Sequence, residues 1–267
     1  MMSERTSYAP GTPCWVDLAS PDLDASAGFY GGLFGWDAPE PENAEQTGGY
    51  RQALLRGKPV AGLMPLMQEG QPVVWSTYVS VADAEVAAGK VSEGGGTVMV
   101  EPMDVLDLGR MAVFADPAGA VFGVWQPGTF AGAGVVNEPG ALSWNELNTR
   151  DVSGAEQFYG GVFGWTFETE DLGEAGSYTT INLGGAPVGG ILNQRERGVP
   201  EEVPAYWAVY FAVDDTDATV DKATGLGGSV MVPPTDIPAG RFSIVNDPHG
   251  AMFTVIALSQ DMLAKAP

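Results

Sequence analysis

The stretch from Trp15 to Trp36, W-V-D-L-A-S-P-D-L-D-A-S-A-G-F-Y-G-G-L-F-G-W, returns as Trp144 to Trp165, W-N-E-L-N-T-R-D-V-S-G-A-E-Q-F-Y-G-G-V-F-G-W. Trp15 answers Trp144, Phe29-Tyr30 answers Phe158-Tyr159, and Trp36 answers Trp165, each 129 residues on. A repeat of this period means that the chain is a tandem duplication, so whatever folds once must fold twice. The length of 267 residues agrees, since it suits about two domains of roughly 130 residues. The expected division is a first domain over 12–126, a linker over 127–140 that is rich in Gly and Pro, and a second domain over 141–258.

Within each copy the pattern alternates between strands and helices. Cys14 to Ala19 alternates large apolar and polar residues, as a strand does. Ser20-Pro21-Asp22 marks a helix start, and Gly35 ends that helix as a left-handed cap. Trp36 opens a further strand, followed by an acidic, Pro-rich loop over 37–47. Tyr50 to Leu55 and Val60 to Leu66 read as a hairpin. The order then recurs: Val73 to Val81 is a strand, Ala82 to Ser92 a helix, and Thr97 to Val100, Gly109 to Ala115 and Ala120 to Trp125 are strands. The second copy repeats this plan, with helices over Val152 to Phe163 and Thr216 to Thr224, and a short helix or frayed end after Leu258.

Composition excludes some partners. Acidic residues number 34 against 12 basic, a formal charge of −22. Nucleic-acid binding needs Lys and Arg to replace counterions, and anionic membranes repel such a surface. The partner expected is a small molecule, with no nucleic acid and no membrane. The assembly is a monomer with intrachain domain pairing or a homodimer. Cys14 is the only cysteine, so no intrachain disulfide or thiolate cluster can form. The start M-M-S-E-R-T-S-Y lacks the apolar core of a secretory signal, and the cytoplasm is the expected location.

Four β-α-β-β-β units, with D-L-D-A-S-A-G-F-Y-G-G-L-F-G-W after the first strand and D-P-A-G-A-V-F before the last strand of the first copy, resemble the vicinal oxygen chelate superfamily. Its members include glyoxalase I, bleomycin-resistance proteins and extradiol dioxygenases. The double-copy chain also resembles bacterial two-domain glyoxalase-like proteins, some of them termed hydroxylases. The resemblance implies an α+β fold of tandem domains, in which four βαβββ units form two cup-shaped mixed sheets. It also implies a divalent metal on each cup floor, held by His, Gln or Glu from the first, fourth, fifth and eighth strands. The matching positions here are Trp15 and Trp144, Ser76 and Ala208, and Gly123 and Thr254. The fourth strands, V-A-G-L-M and V-G-G-I-L, contain no carboxylate, imidazole or amide. The single histidine, His249, sits in a D-P-H-G turn. The expectation is therefore no metal and no cofactor.

What the cups offer instead is aromatic surface. Trp15, Tyr78 and Trp125 in the first copy and Trp144 and Tyr210 in the second are the expected lining, suited to flat organic molecules. Trp75 and Trp207 belong on the opposite face. Asp17 and Glu146 are the candidate acid-base groups, because a carboxyl among indoles has its pKa raised by desolvation. Asn148 and Asn145 are candidates to orient a ligand. Arg110 and Arg241 occupy equivalent positions and could clamp a carboxylate or enolate, or form salt bridges across the sheet.

Three functions follow from these residues. The first is a metal-independent protein that binds or converts a hydrophobic, aromatic small molecule, in secondary metabolism or drug self-resistance; as an enzyme it would be a lyase, isomerase or hydroxylase. The second is a metal-dependent glyoxalase-type lyase or dioxygenase. The third is a non-catalytic binding module.

Overall fold

The computed structural model describes residues 3–173, 176–260 and 262. The first copy contains β2 (Pro13–Ser20), α1 (Leu23–Phe34), the short α2 (Ala44–Thr47), β3 (Arg51–Leu55) and β4 (Lys58–Pro65). These are followed by β5 (Val74–Ser80), α3 (Ala84–Glu93), β6 (Thr97–Val105), β7 (Gly109–Ala115) and β8 (Val121–Pro127). The second copy contains β10 (Leu142–Thr149), α4 (Val152–Phe163), β11 (Thr166–Asp171), β12 (Ser177–Leu183) and β13 (Ala186–Asn193). It closes with β14 (Tyr206–Ala212), α5 (Thr216–Gly225), β15 (Ser229–Ile237), β16 (Gly240–Asn246) and β17 (Met252–Leu258). Two short strands, β1 (Ser3–Glu4) and β9 (Val135–Val136), pair with each other.

Each long helix begins in the same way. Asp22, Asp83, Asp151 and Asp215 precede α1, α3, α4 and α5, and each side chain accepts a backbone N–H three residues on. This satisfies one of the donors that a helix start leaves unpaired. Gly35 and Gly164 close α1 and α4 in the left-handed conformation, with φ of 76° and 73°, which an L side chain rarely adopts.

The strands form two sheets, β3-β4-β2-β5-β8-β7-β6 and β11-β12-β13-β10-β14-β17-β16-β15, and β9 joins the second beside β10. In each, the first strands of two units lie antiparallel at the centre, β2 on β5 and β10 on β14. This is the α+β plan of paired βαβββ units, with one correction. The strand expected from Trp36 is reduced to a single bridge, Asp37 to Leu54. Its counterpart β11 forms fully. The difference is local: Pro39 and Pro41 follow Trp36 and cannot donate to a ladder, whereas β11 reads T-F-E-T-E-D. The linker is not loose. Ala133 donates to the Cys14 carbonyl at 2.8 Å and Gly134 to the Pro59 carbonyl at 2.7 Å. The polar N-terminal segment is tied down through β1, and part of the tail after Leu258 lies outside the described residues.

The two copies interlock about a pseudo-twofold axis. Tyr30 on α1 donates to Asp247 in the last turn of the second copy, and Tyr159 on α4 donates to Asp116 in the first, both at 3.1 Å. Trp75 and Trp207 donate to those same tyrosine hydroxyls, at 3.0 and 2.9 Å. The indoles of Trp36 and Trp165 donate across the join to the carbonyls of Gly140 and Gly11. Phe34, Trp36 and Trp75 of the first copy pack on Phe211 and Phe253 of the second. The repeated F-Y-G-G-x-F-G-W motif is thus the hydrophobic and polar seam between the halves. It turns one face of each sheet inward and leaves the other as a cup.

Candidate functional site

Register decides which residues share a cup. Residues paired across neighbouring strands point to one face, and a strand alternates its faces. On β2, Trp15 faces Tyr78 and Asp17 faces Ser76 and Gly62. Tyr78 in turn faces Gly123, and Trp125 faces Met111. In the second copy Trp144 faces Tyr210, Glu146 faces Ala208 and Gly190, and Tyr210 faces Thr254. The structure therefore brings Trp15, Asp17, Tyr78 and Trp125 together in one cup, and Trp144, Glu146, Asn148 and Tyr210 in the other. Trp75 and Trp207 lie on the inner faces, buried in the seam. Asn145 lies there too, accepting a hydrogen bond from Thr77 at 2.8 Å, so it orients the halves and not a ligand.

Arg110 and Arg241 are also on the wrong face for a clamp. Arg110 is paired with Gln126 and shares its face of β7 with Ala112 and Phe114, which are buried under α3. Its guanidinium pairs with Glu85 at 2.5 Å and Asp104 at 3.2 Å. Arg241 pairs with Asp217 at 2.5 Å and Asp236 at 3.0 Å. Each arginine ties its sheet to the first turn of the helix behind it. The salt-bridge alternative is the one the structure holds.

Two tyrosines complete the cups, and neither was among the expected site residues. Tyr50, just before β3, accepts the indole N–H of Trp15 at 2.7 Å and lies 3.5 Å from Asp17 Oδ2. Having accepted from the indole, its hydroxyl sends its own proton toward the carboxyl. Tyr178 repeats this in part: it accepts from Trp144 at 2.9 Å, and the carboxyl of Glu146 acts on its phenol. Tyr210 donates to Glu146 at 2.8 Å, and its counterpart Tyr78 stands on the same face as Asp17 and holds the carboxyl's pKa down. Each cup thus holds one carboxyl between two phenols, with an indole behind the first phenol. The signal for the missing tyrosines was their spacing. Tyr50 and Tyr178 lie 128 residues apart, as do Gly62 and Gly190. A Cβ at Gly62 would sit 1.8 Å from the Tyr50 hydroxyl, and one at Gly190 would sit 2.0 Å from that of Tyr178. Those glycines are the floor on which the rings lie.

Burial dominates the electrostatics. Asp17 is 3% exposed, and desolvation raises its pKa from 3.8 to about 7 against the opposing hydrogen bonds of Tyr78 and Tyr50. Glu146 is raised for the same reason, with Tyr210, Tyr178, Asn148 and the charge of Arg197 acting the other way. Burial, and then the neighbouring carboxyl, push the phenols of Tyr50, Tyr78, Tyr178 and Tyr210 well above their usual value. Cys14 is fully buried, and that burial pushes its thiol up.

The donor set does not fit a divalent metal. The fourth-strand position opposite each carboxyl is glycine, and tyrosine rings fill the space above it. One carboxyl per cup remains, and burial holds it toward its protonated form. Among the described residues no three His, Cys, Asp or Glu side chains group together. Metals of this kind need several oxygen or imidazole ligands.

The duplicated architecture matches the family model of the Glyoxalase/Bleomycin resistance protein/Dioxygenase superfamily twice, over residues 14–124 and 141–255. The chain belongs to this superfamily. Among its relatives is CFP32 of Mycobacterium tuberculosis, whose name assigns it provisionally to the glyoxylases; it is 43% identical over 96% of this chain and 98% of its own length. The anthracycline biosynthesis protein DnrV of Streptomyces peucetius is also 43% identical, over 98% of each chain. The Mn(II)-bound glyoxalase from Novosphingobium aromaticivorans shares the fold, with a TM-score of 0.62 at 18% identity, covering 92% of this chain and 82% of that one. Among the described residues no helix is long and apolar enough to cross a membrane.

Proposed function

We propose that this superfamily member binds or converts a hydrophobic, aromatic small molecule without a metal ion, in secondary metabolism. The observation that carries this reading is the carboxyl set between two phenols where the superfamily's ligand set would converge. A carboxyl whose pKa lies near 7 can give or take a proton at neutral pH, and Trp15 and Trp125 offer it aromatic walls. The 43% identity to DnrV, a protein named for anthracycline biosynthesis, supports a polycyclic aromatic compound as the class of ligand. Asp17 and Glu146 serve as the polar anchors of their cups.

Metal analysis of the purified full chain, together with tryptophan quenching by polycyclic aromatic compounds, tests the reading. The expected result is less than stoichiometric zinc, nickel, iron or manganese, with quenching that survives chelation. Tightly held metal at one per cup, or quenching abolished by chelator, would overturn it. Asp17→Asn then separates the two roles. It abolishes turnover but spares binding if Asp17 is an acid-base group, and weakens both equally if it only anchors.

A further inference from the structure

The seam between the copies uses one helix crossing twice. α3 of the first copy meets α4 of the second, and α5 of the second meets α1 of the first. In each crossing a lysine reaches a carbonyl in the last turn of the other copy's helix. Lys90 donates to Val162 and Lys222 to Leu33, both at 3.3 Å. The residue four after each lysine then differs: Leu226 in the second copy, Gly94 in the first. Leu226 lies across α1, where a Cβ at Gly32 would sit 3.0 Å from its Cδ1. Gly161 answers Gly32 on α4 (161 − 32 = 129), and a Cβ there would meet nothing within 4 Å. Without the isobutyl group of a leucine, a groove of about 460 Å3 opens between α3, α4 and the turn after β7. Pockets that hold small molecules run from roughly 300 to 1,000 Å3.

Where hydrocarbon is withdrawn from this crossing, polar groups are added. Glu93 lines the groove where the second copy has Gly225, and Gln157 lines it where the first helix has Gly28. The buried side chains of Ala155 and Phe158 make an apolar floor. Around that floor stand the carboxyls of Glu93, Asp116 and Asp151, against the one ammonium of Lys90, which the Val162 carbonyl already engages. The closed crossing shows the shape that fits, the branched end of a leucine side chain. The charges at the open one show the sign of the head group, since carboxyls favour a cation and repel an anion.

We infer that the groove between α3 and α4 is a binding site, separate from the cups, for a primary amine that carries a short branched hydrocarbon. The hydrocarbon lies over Gly161 as Leu226 lies over Gly32, and the ammonium meets Glu93. Such a ligand touches both copies at once, so it binds the assembled pair and stabilises it. The inference does not depend on what the cups bind.

Ligand-observed NMR titration of the full chain tests it, with 3-methylbutylamine as the probe and 3-methylbutanoate as the same hydrocarbon on an anion. The expected result is saturable binding of the amine with a Kd of about 1 mM, as suits so few atoms, and none of the carboxylate. Thermal melts are expected to rise with added amine. Glu93→Gln is expected to weaken the amine about fivefold or more. Glu168→Gln removes a charge from the exposed strand β11, outside the groove, and is expected to change nothing. Gly161→Leu returns an isobutyl group to the groove, from α4, and is expected to abolish binding. Its thermal melt is expected to be no lower than that of the unaltered chain, since a helix glycine is replaced where nothing stands in the way. Binding kept in Gly161→Leu, or a carboxylate bound as tightly as the amine, would overturn the inference. So would equal weakening in Glu93→Gln and Glu168→Gln, which would show that the amine answers only the net charge of the chain. No saturable binding of the amine to the unaltered chain would overturn it as well, and would leave the reading of the cups untouched.

Discussion

Asp17 makes the stability of this protein depend on pH in a direction opposite to that of most carboxylates. Folding raises its pKa from 3.8 to about 7, through burial that its two phenol partners only partly offset. An acid with a raised folded pKa holds more protons folded than unfolded. Its contribution is therefore fully present below the unfolded pKa and is lost as pH rises through the folded one. At about 1.4 kcal/mol per pH unit, the whole effect is about 4 kcal/mol, of which about 3 kcal/mol falls between about pH 5 and about pH 8.5. Glu146 and Asp116 are shifted the same way, so the unaltered protein alone cannot isolate Asp17. Asp17→Asn can, since an amide does not titrate. Urea unfolding followed by tryptophan fluorescence, at several pH values across that window, is the assay. The wild-type protein is expected to lose more stability than the variant as pH rises, with the difference growing to about 3 kcal/mol by about pH 8.5. Curves that run parallel over the window would show that Asp17 ionises as freely as it does in water, and the burial of its charge would be refuted.

Three further outcomes are expected. Gly62→Ala and Gly190→Ala each drive a methyl group into a tyrosine hydroxyl, at 1.8 and 2.0 Å; each is expected to cost about 1–3 kcal/mol in urea unfolding, relieved when Tyr50 or Tyr178 is also cut to alanine. Tyr30→Phe removes both the bond to Asp247 and the acceptor for Trp75. It is expected to cost about 1–3 kcal/mol, and its counterpart Tyr159→Phe the same, by thermal or urea unfolding. Arg110→Ala and Arg241→Ala break surface pairs, so each is expected to change stability by less than about 1 kcal/mol and to leave tryptophan quenching by polycyclic aromatic compounds unaltered.

Much of this was legible in the residues because the chain states it twice. The helix over Val152–Phe163 and the strand over Gly109–Ala115 are bounded by aspartate caps and glycines that act locally, so spacing alone finds them. Asp17 and Glu146 could be placed beside the indoles because a strand alternates. The arginines stayed open between a clamp and a salt bridge for the same reason turned round: parity says that Arg110 shares a face with Ala112 and Phe114, but only the packed helix says which face is inside. Tyr50 and Tyr178 escaped because what fixes them is a glycine on the next strand. A gap opposite a ring is a property of register, and no window of sequence contains it. The strand lost after Trp36 shows the limit of the repeat itself, since two prolines in one copy undo what threonines make in the other.

The duplication explains why the cups can differ at all. The seam needs both copies, because Tyr30 and Tyr159 each reach the other half's last turn, so neither half can be lost or freely rearranged. The cup floors carry no such obligation to each other. Glu146 is one methylene longer than Asp17, and the amide of Asn148, 3.4 Å from Glu146 Oε1, stands where the first copy has Ala19.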